Sequence, residues 1–282
     1  MKKIIITGAS GFIGRNTINP LIKYGYDIHA IYYNKKIDIN GLIWHKVNLL
    51  DHDQVNILFK TVQPSHLLHL AWDVIPGNYL YNSNNYAWLN SGINLLRSFK
   101  ENGGKRAVVA GTQAEYYSNY PYSACKRALL EVLKSLDISY AWGRIFNLYG
   151  ENEYSTRLIP SIITSILKGE EIICSSGEQI RDYMYVKDVA EAFVEIVNCE
   201  IQGIIDIGSG QGIKVKDIIY KITEKMNGHE LIKLGTKKTS LNEVSHSIAD
   251  ISRLKNEVGF LPQFTIDDGL EQVIKWHRLK NN

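Results

Sequence analysis

The sequence predicts an α/β fold in which helices cover both faces of a doubly wound parallel sheet. Through the first 150 residues, short apolar segments of strand length alternate with segments whose apolar residues recur at helical spacing. The first segment, Ile4–Thr7, is apolar or β-branched throughout, which is typical of a strand buried on both faces. A glycine-rich turn and a helix over residues 16–24 come directly after it. This order of strand, turn and helix is the start of a βαβ unit.

Three glycines at a spacing of three residues form the turn after the first strand. Gly8 allows a tight turn, Gly11 lets backbone N–H groups approach a pyrophosphate, and Gly14 allows the helix to pack closely on the strand. The N-terminus of the helix adds partial positive charge for the phosphates. The turn therefore predicts a Rossmann-type dinucleotide site.

The end of the second strand, Asp27–Tyr33, bears on which dinucleotide binds. An NAD site usually places an Asp or Glu about 20 residues beyond the glycines, where it bonds the ribose 2′-hydroxyl. The sequence has Asn34, Lys35 and Lys36 there, and Arg15 lies beside the glycine turn. These residues favour NADP(H) over NAD(H), because cations attract a 2′-phosphate. The alternative is that the two lysines only occupy a surface turn.

The remaining elements are predicted from apolar periodicity. Strands are expected at 42–47, 66–71, 107–111, 140–145, 171–174 and 203–207, and helices at 85–100, 122–136, 158–167, 187–197, 215–226 and 266–276. The alternation loosens beyond Gly150. We therefore expect an NAD(P)-binding domain over residues 1–150, to which 185–209 return. A smaller C-terminal lobe, mostly residues 151–282, is expected to bind substrate at the carboxyl edge of the sheet.

Composition excludes several classes of function. The formal net charge is only +3, and no long run of lysine or arginine is present, so nucleic-acid binding is not expected. The three cysteines are too widely spaced for a metal site or a disulfide framework and are expected to be free thiols. No apolar run approaches the ~18 residues of a membrane span, and no signal peptide is evident. We expect a cytoplasmic protein without a metal.

A tyrosine and a lysine four residues apart are the candidate catalytic pair. Tyr122 and Lys126 would share one face of a helix, where the ammonium favours ionisation of the phenol. The pattern occurs three times in the chain, but only this pair begins a helix directly after a predicted strand. A phenol tuned in this way can exchange a proton with a carbonyl oxygen of the substrate. Thr112 lies at the end of that strand, and its hydroxyl is expected to bond the same oxygen.

Taken together, these motifs resemble the extended short-chain dehydrogenases/reductases, which include nucleotide-sugar epimerases, dehydratases and ketoreductases. The opening Thr-Gly-Ala-Ser-Gly-Phe-Ile-Gly, the Tyr122–Lys126 pair and later segments match in order over roughly residues 3 to 262. The resemblance implies that Thr112, Tyr122 and Lys126 are catalytic and that Asn90 orients the lysine. It also implies a nucleoside-diphosphate sugar substrate and a homodimer formed through the helices at 85–100 and 122–136.

The resemblance also assigns binding residues. The cofactor would contact Gly8, Ser10, Gly11, Phe12, Ile13, Gly14, Arg15, Asn34, Lys35, Asn48, Leu49, Leu70, Ala71, Trp72, Asn90, Tyr122 and Lys126. The substrate would contact Thr112, Asn147 and Arg181, with Asn147 and Arg181 on its phosphates. Trp72 is equally well explained as a packing aromatic.

Departures from the family pattern narrow the expected chemistry. In the dehydratases of this family, an Asp and a Glu come after the catalytic threonine and move the protons of the elimination, whereas this chain has Gln113 and Ala114. Glu115 comes one residue late and, on a strand register, would face differently. The segment resembles instead that of reductases of 4-keto-6-deoxyhexose nucleotides. We therefore expect NADPH-dependent reduction of the C4 keto group of such a sugar, with an NAD-dependent 4-epimerase as the alternative.

A regulatory protein that only senses the cofactor is a third possibility. Such proteins commonly lose the tyrosine or the lysine of the catalytic pair. This chain retains both Tyr122 and Lys126, which disfavours that function.

Overall fold

The computed structural model describes residues 2–117, 119–237 and 244–281. The strands are β1 Lys3–Thr7, β2 Asp27–Tyr32, β3 Ile43–Lys46, β4 His66–His69, β5 Arg106–Thr112, β6 Ser139–Ile145, β7 Asn147–Tyr149, β8 Ile172–Ile173, β9 Ile180–Tyr185, β10 Gly203–Ile207, β11 Gly212–Lys214, β12 Ile232–Lys233 and β13 His246–Ser247. The helices are α1 Gly14–Lys23, α2 His52–Val62, α3 Asn84–Glu101, α4 Ala114–Tyr117, α5 Pro121–Ser135, α6 Leu158–Lys168, α7 Val186–Asn198, α8 Val215–Met226, α9 Ser252–Asn256 and α10 Ile266–Asn281.

A seven-stranded sheet dominates the fold. Its strand order is β10-β6-β5-β4-β1-β2-β3, and every neighbouring pair is parallel. The chain runs outward in one direction from β1 through β2 to β3, and in the other from β4 through β5 to β6. The switch point therefore lies between β1 and β4, where folds of this type bind ligands at the carboxyl ends of the strands. The predicted Rossmann-type α/β class is confirmed.

The described residues divide into two compact units. The first takes in Met1–Ile145, Val189–Ile207 and Ser252–Phe260, and the second takes in Phe146–Asp188, Gly208–Ile251 and Leu261–Asn282. In the first unit, the inner strands of the sheet are largely buried. They pack against α2, α3 and α5 through a core that includes Ile5, Phe59, Leu67, Leu95, Phe99, Leu129 and Trp142. This core fixes the strand ends from which the candidate site is built.

The second unit has its own small sheet around β9. Strand β11 pairs with β9 antiparallel, and β7 and β13 pair with it parallel. Asp182 of β9 is fully buried, and its carboxylate accepts from the backbone N–H groups of Ser209 at 2.8 Å, Gly210 at 2.9 Å and Ala249 at 3.2 Å. One buried carboxylate thus ties two loops of this unit to its central strand.

Most predicted elements are present with shifted ends, and the shifts have local causes. The strand expected over 66–71 ends at His69, because the N–H groups of Leu70 and Ala71 bond the Thr7 hydroxyl, at 3.2 and 3.1 Å. Helix α2 was not predicted. Asp51 caps it by accepting from the N–H groups of its second and third residues.

Two kinds of feature are absent from the described part of the chain. None of its helices combines the length and apolarity needed to cross a membrane. Within the same residues, no group of three or more His, Cys, Asp and Glu side chains is arranged to hold a metal ion.

Candidate active site

The glycine turn lies between β1 and α1 and is too tight for larger residues. Gly8 has a φ of +71°, and a Cβ there would lie 2.9 Å from the backbone nitrogen of Ala71. A Cβ on Gly14 would lie 2.2 Å from the Gly8 carbonyl oxygen. Both contacts are with backbone atoms, so these positions require glycine.

Helix α1 begins at Gly14, directly after the glycine turn. No side chain caps this end, and its first turn contains no acidic residue. An uncapped N-terminus beside a glycine turn suits the pyrophosphate of a dinucleotide. The residues present therefore fit the cofactor that the sequence predicts.

The hydroxyl of Thr7 joins the glycine turn to the end of β4. Thr7 Oγ1 lies 2.7 Å from His69 Nδ1, in addition to accepting from the two N–H groups just beyond β4. His69 is 3% exposed, and burial, together with the charge of Lys126, lowers its pKa to about 3. The imidazole is therefore neutral at physiological pH, and it packs beneath the site without adding charge.

Lys126, on α5, is buried in the middle of this region. Its Nζ donates to the Ala110 carbonyl of β5 at 2.9 Å and lies 4.0 Å from the ring centroid of Trp72. Burial lowers the pKa of Lys126 to about 7, against an opposing effect of the negative charge of Glu115. The sequence predicted an ammonium beside the phenol, and in the structure burial shifts this lysine toward the neutral amine.

Tyr122 precedes Lys126 by one helical turn and belongs to an aromatic cluster. Its ring, 7% exposed, packs edge-on against Tyr79 at 5.0 Å and Trp72 at 6.3 Å between centroids. Its N–H also donates to the Leu80 carbonyl at 3.2 Å. Because Trp72 contacts both Tyr122 and Lys126, the structure brings the predicted catalytic pair together with a residue from the loop after β4.

Thr112 ends β5 and is held by the segment after it. Its Oγ1 accepts from the Ala114 N–H at 3.2 Å, and its own N–H donates to Glu115 Oε1 at 2.8 Å. Glu115 lies in the short helix α4, so the strand register expected for it is wrong. The helical turn brings its carboxylate back toward β5, where it is 8% exposed.

The Glu115 carboxylate has two further partners on β6. Trp142 Nε1 donates to it at 3.1 Å, and Arg144 Nε lies 3.3 Å from Oε2. The guanidinium of Arg144 also pairs with Asp206 at 3.1 Å and contacts the hydroxyl of Tyr116. These contacts were not predicted from the sequence, because they join residues up to 62 positions apart.

A polar pocket of about 190 Å³ adjoins the aromatic cluster. It is lined by Asp73, Ile75, Asn78, Tyr79, Asn82, Asn84 and Asn85. Asn85 is 2% exposed, and its side chain accepts from Trp72 Nε1 at 2.7 Å and donates to the Tyr79 carbonyl at 2.6 Å. The pocket therefore shares Tyr79 with the surroundings of Tyr122. The sequence motifs did not identify this polar loop as a site.

The other predicted cofactor residues lie in varied surroundings. Arg15 folds over the glycine turn and donates to the carbonyls of Ser10 at 3.0 Å and Gly11 at 3.2 Å. Its neighbours Phe12 and Ile13 are half-buried, whereas Asn34 and Lys35 are exposed. The guanidinium thus lies against the phosphate end of the predicted site.

Three more predicted positions lie just beyond β3 or on α3. Asn48 closes a turn by accepting from the Leu50 N–H at 3.1 Å, and the buried Leu49 accepts at its carbonyl from Ser91 at 2.6 Å. Asn90 is exposed on α3. The Lys126 ammonium contacts Ala110 and Trp72, so orientation of the lysine by Asn90 stays a prediction.

The two predicted phosphate-binding residues lie in the second unit. Asn147 of β7 donates to the Asp182 carbonyl at 3.2 Å. Arg181 of β9 is half-buried, and its guanidinium donates to the carbonyl of Ile180 at 2.9 Å. The adjacent strands β7 and β9 thus place both side chains in one small sheet.

Known proteins similar to this chain act on nucleotide sugars. CDP-abequose synthase of Salmonella muenchen is 25% identical over 97% of this chain and 97% of its own length. dTDP-4-dehydro-6-deoxyglucose reductase of Escherichia coli is 27% identical over 98% of each protein. The structure of UDP-N-acetylglucosamine 4-epimerase from Methanobrevibacter ruminantium, in complex with UDP-N-acetylmuramic acid, is 25% identical, covers 99% of both chains and has a TM-score of 0.84.

Residues 4–208, well over half of the chain, match a family described as the NAD dependent epimerase/dehydratase family. The matched range contains the glycine turn, the Tyr122–Lys126 pair and Thr112. The chain therefore belongs to the NAD dependent epimerase/dehydratase family.

Proposed function

We propose that this protein is a nucleotide-sugar 4-ketoreductase, which uses NADPH to reduce the C4 keto group of a nucleoside-diphospho-4-keto-6-deoxy sugar. Two of its relatives carry the names of a 4-keto sugar reductase and an abequose synthase, and they align over nearly their whole length. When bound, the nicotinamide supplies hydride. The chain's own residues then have to bind the sugar, polarise the C4 carbonyl and provide one proton.

The observation that carries the proposal is the identity of the residues after Thr112 and the contacts of Glu115. Elimination of water from a sugar needs an acid and a base there, but Gln113 and Ala114 cannot serve. Glu115 is the nearest carboxylate, and it is held in the interior by Trp142 and Arg144. The site therefore retains the groups for carbonyl reduction and lacks those for dehydration.

Each of the three catalytic candidates has a distinct role in this proposal. Tyr122 donates its phenolic proton to the C4 oxygen. The Thr112 hydroxyl, whose oxygen already accepts from Ala114, turns its hydrogen toward the same oxygen and polarises the carbonyl. Lys126, with a pKa of about 7, can return a proton to the phenolate at neutral pH.

The polar pocket beside Tyr122 suits the sugar. Its lining contains one carboxylate, several amides and a tyrosine ring, which are types of group that bond hydroxyls and pack on a pyranose face, although Asp73, Asn84 and Asn85 also bond within the protein. Its volume of about 190 Å³ is smaller than the ~300–1,000 Å³ of pockets that hold a whole ligand. The pocket is therefore of suitable size for a single sugar ring of the substrate. Asn147 and Arg181 are proposed to bind the diphosphate.

The preference for NADPH rests on the exposed Lys35 and on Arg15. Neither Asn34 nor the lysines after it repel a 2′-phosphate, and cations attract one. Lys35→Glu should weaken NADPH binding while leaving NADH binding within about twofold, and Lys60→Glu on α2 serves as a surface-charge control. Equal effects of Lys35→Glu on both nucleotides would contradict the preference.

A nucleotide-sugar 4-epimerase is the second candidate, favoured by the similarity to the Methanobrevibacter ruminantium enzyme. An epimerase would use the same residues for oxidation and re-reduction and would consume no nucleotide overall. The two functions differ in one measurement. A reductase oxidises NADPH in proportion to a supplied 4-keto sugar nucleotide. An epimerase interconverts UDP-hexoses without any added NAD(P)(H).

The experiment is an absorbance assay with NADPH and a panel of 4-keto-6-deoxy sugar nucleotides. Tyr122→Phe is expected to abolish turnover and to leave NADPH binding unchanged, since it removes only the hydroxyl. Tyr86→Phe, at an exposed position on α3, is the matched control and should behave like the unaltered protein. Turnover by Tyr122→Phe at the unaltered rate would refute the assigned acid.

A further inference from the structure

We propose that Glu115 is a positioning residue of the active site: its buried carboxylate fixes the backbone of Thr112 and supplies a negative charge that acts on Lys126. The proposal rests on the proposed function of Thr112 and Lys126. Neither the family match nor the sequence resemblance assigns Glu115 a role.

Glu115 holds the backbone of Thr112 directly. Thr112 is the last residue of β5 and pairs with Ile145 of β6, and beyond it the chain leaves the sheet, so contacts from the following segment add to those of the ladder. Its N–H donates to Glu115 Oε1 at 2.8 Å, and the Ala114 N–H donates to its Oγ1 at 3.2 Å. The carboxylate thus closes the turn that presents the Thr112 hydroxyl.

The surroundings of Glu115 hold its carboxylate in one place. Trp142 Nε1 donates to both of its oxygens, at 3.1 and 3.2 Å, and Arg144 Nε lies 3.3 Å away. A Cβ on Gly111 would lie 1.9 Å from Trp142 Nε1, so only glycine at 111 lets the indole reach Glu115. Contacts from β5 and β6 therefore agree on a single position for this charge.

The charge of Glu115 also acts on Lys126. Lys126 Nζ bonds the carbonyl of Ala110, two residues before Thr112, and lies 6.0 Å from the ring centroid of Trp142, whose N–H bonds Glu115. Burial lowers the pKa of Lys126, and the charge of Glu115 opposes that effect. In the low-polarity interior, a fixed negative charge interacts more strongly with a nearby cation than the same charge would in water.

The other titratable groups around Lys126 do not replace this charge. His69, below it on β4, is neutral because burial holds its pKa to about 3. Tyr122 on its own helix is the proton donor. Arg144 on β6 is a cation, and it pairs with both Glu115, at 3.3 Å, and Asp206, at 3.1 Å. Glu115 is therefore the group whose negative charge stabilises the protonated form of Lys126.

Two substitutions separate the effect of the charge of Glu115 from the effect of its side-chain length. Glu115→Gln keeps the shape and an acceptor for the Thr112 N–H but removes the charge. Glu115→Asp keeps the charge but is one methylene too short to reach Thr112. Asp206→Asn is the matched control, because it disturbs the same Arg144 ion-pair network without contacting Thr112.

Two readouts are needed, one of them independent of activity. Lysine labelled with ¹³C at Cε reports the titration midpoint of Lys126, with its signal assigned by its loss in Lys126→Met. Steady-state kinetics with NADPH and a 4-keto sugar nucleotide report kcat and KM. A merely structural role would lower kcat or stability without moving the midpoint.

The expected results differ for each variant. In Glu115→Gln the Lys126 midpoint falls below its unaltered value, because the negative charge that favours the ammonium is removed. In Glu115→Asp the midpoint stays close to the unaltered value while kcat falls about 10- to 100-fold, since a misplaced Thr112 hydroxyl costs that much. In Asp206→Asn the Lys126 midpoint stays close to its unaltered value, and kcat remains within about twofold of that of the unaltered protein.

Several outcomes would overturn the proposal. They are an unmoved midpoint in Glu115→Gln, an unaltered kcat in Glu115→Asp, or an equal loss of kcat in Asp206→Asn. If Glu115→Gln does not fold, Glu115→Asp still decides the question through kcat. If the unaltered protein reduces no sugar nucleotide, the proposed function fails, and the midpoint measurement still decides whether Glu115 acts on Lys126.

Discussion

Replacing Lys126 with methionine should make the nucleotide-free protein more stable at neutral pH, although it should abolish turnover. The lysine is buried, and its pKa falls from 10.5 to about 7 in the folded protein. At 1.36 kcal/mol for each pH unit, this difference means that burial of the charge costs on the order of 4 kcal/mol at pH 7. Methionine has a similar length and carries no charge.

One contact of the lysine offsets part of this cost. The amine keeps its hydrogen bond to Ala110 in either protonation state, and methionine loses this bond at a cost of about 1 kcal/mol. Lys126→Met should therefore raise the free energy of unfolding by about 3 kcal/mol at pH 7.

The pH dependence gives the prediction its sign. Between pH 7 and pH 10.5 the unfolded chain still binds the proton that folded Lys126 has released, so the unaltered protein gains stability as the pH rises. The stability advantage of the methionine variant should shrink over this range and vanish in its upper half. Below pH 7 it should be constant.

Urea unfolding at several pH values between 6 and 10.5 is the assay. The control is Lys134→Met on the same helix, whose side chain is 39% exposed and pairs with Glu131 at 2.8 Å. This variant should change stability by less than about 0.5 kcal/mol at any pH. A methionine variant that is less stable at pH 7, or an advantage that does not change with pH, would refute the reasoning.

Three further predictions concern the scaffold of the site. Gly14→Ala should destabilise the protein by about 1–3 kcal/mol and abolish nucleotide binding in a fluorescence titration, because its Cβ meets the backbone 2.2 Å away; Gly25→Ala, with nothing within 4 Å, should cost only about 1 kcal/mol and bind normally. Stability should fall as the pH drops from 6.5 toward 4, since His66 and His69 have folded pKa values of about 4 and 3 and the unfolded imidazoles take up protons first; a flat urea-unfolding profile over this range would contradict this. Asp182→Ala should cost about 3 kcal/mol or more, measured by urea unfolding, because three backbone N–H groups lose their acceptor; a loss below about 1 kcal/mol would show that water replaces the carboxylate.

The sequence by itself determined the class of fold and selected the residues of the candidate site. Fully apolar strands such as Ile4–Ile6 alternate with amphipathic helices, and this pattern has few solutions other than a parallel sheet. The glycines at 8 and 14 and the spacing of Tyr122 and Lys126 are equally local. Each is set by backbone conformation or by one turn of helix, so each can be predicted from neighbouring residues.

Only the tertiary structure decided what surrounds these groups. The partners of Glu115 come from β5 and β6, up to 29 residues away, and nothing in its local sequence distinguishes a buried carboxylate from an exposed one. The protonation of Lys126 likewise depends on burial beneath Trp72 and on a charge from another helix. Burial and electrostatic fields are sums over residues that are distant in the chain, and therefore the fold had to be known before they could be evaluated.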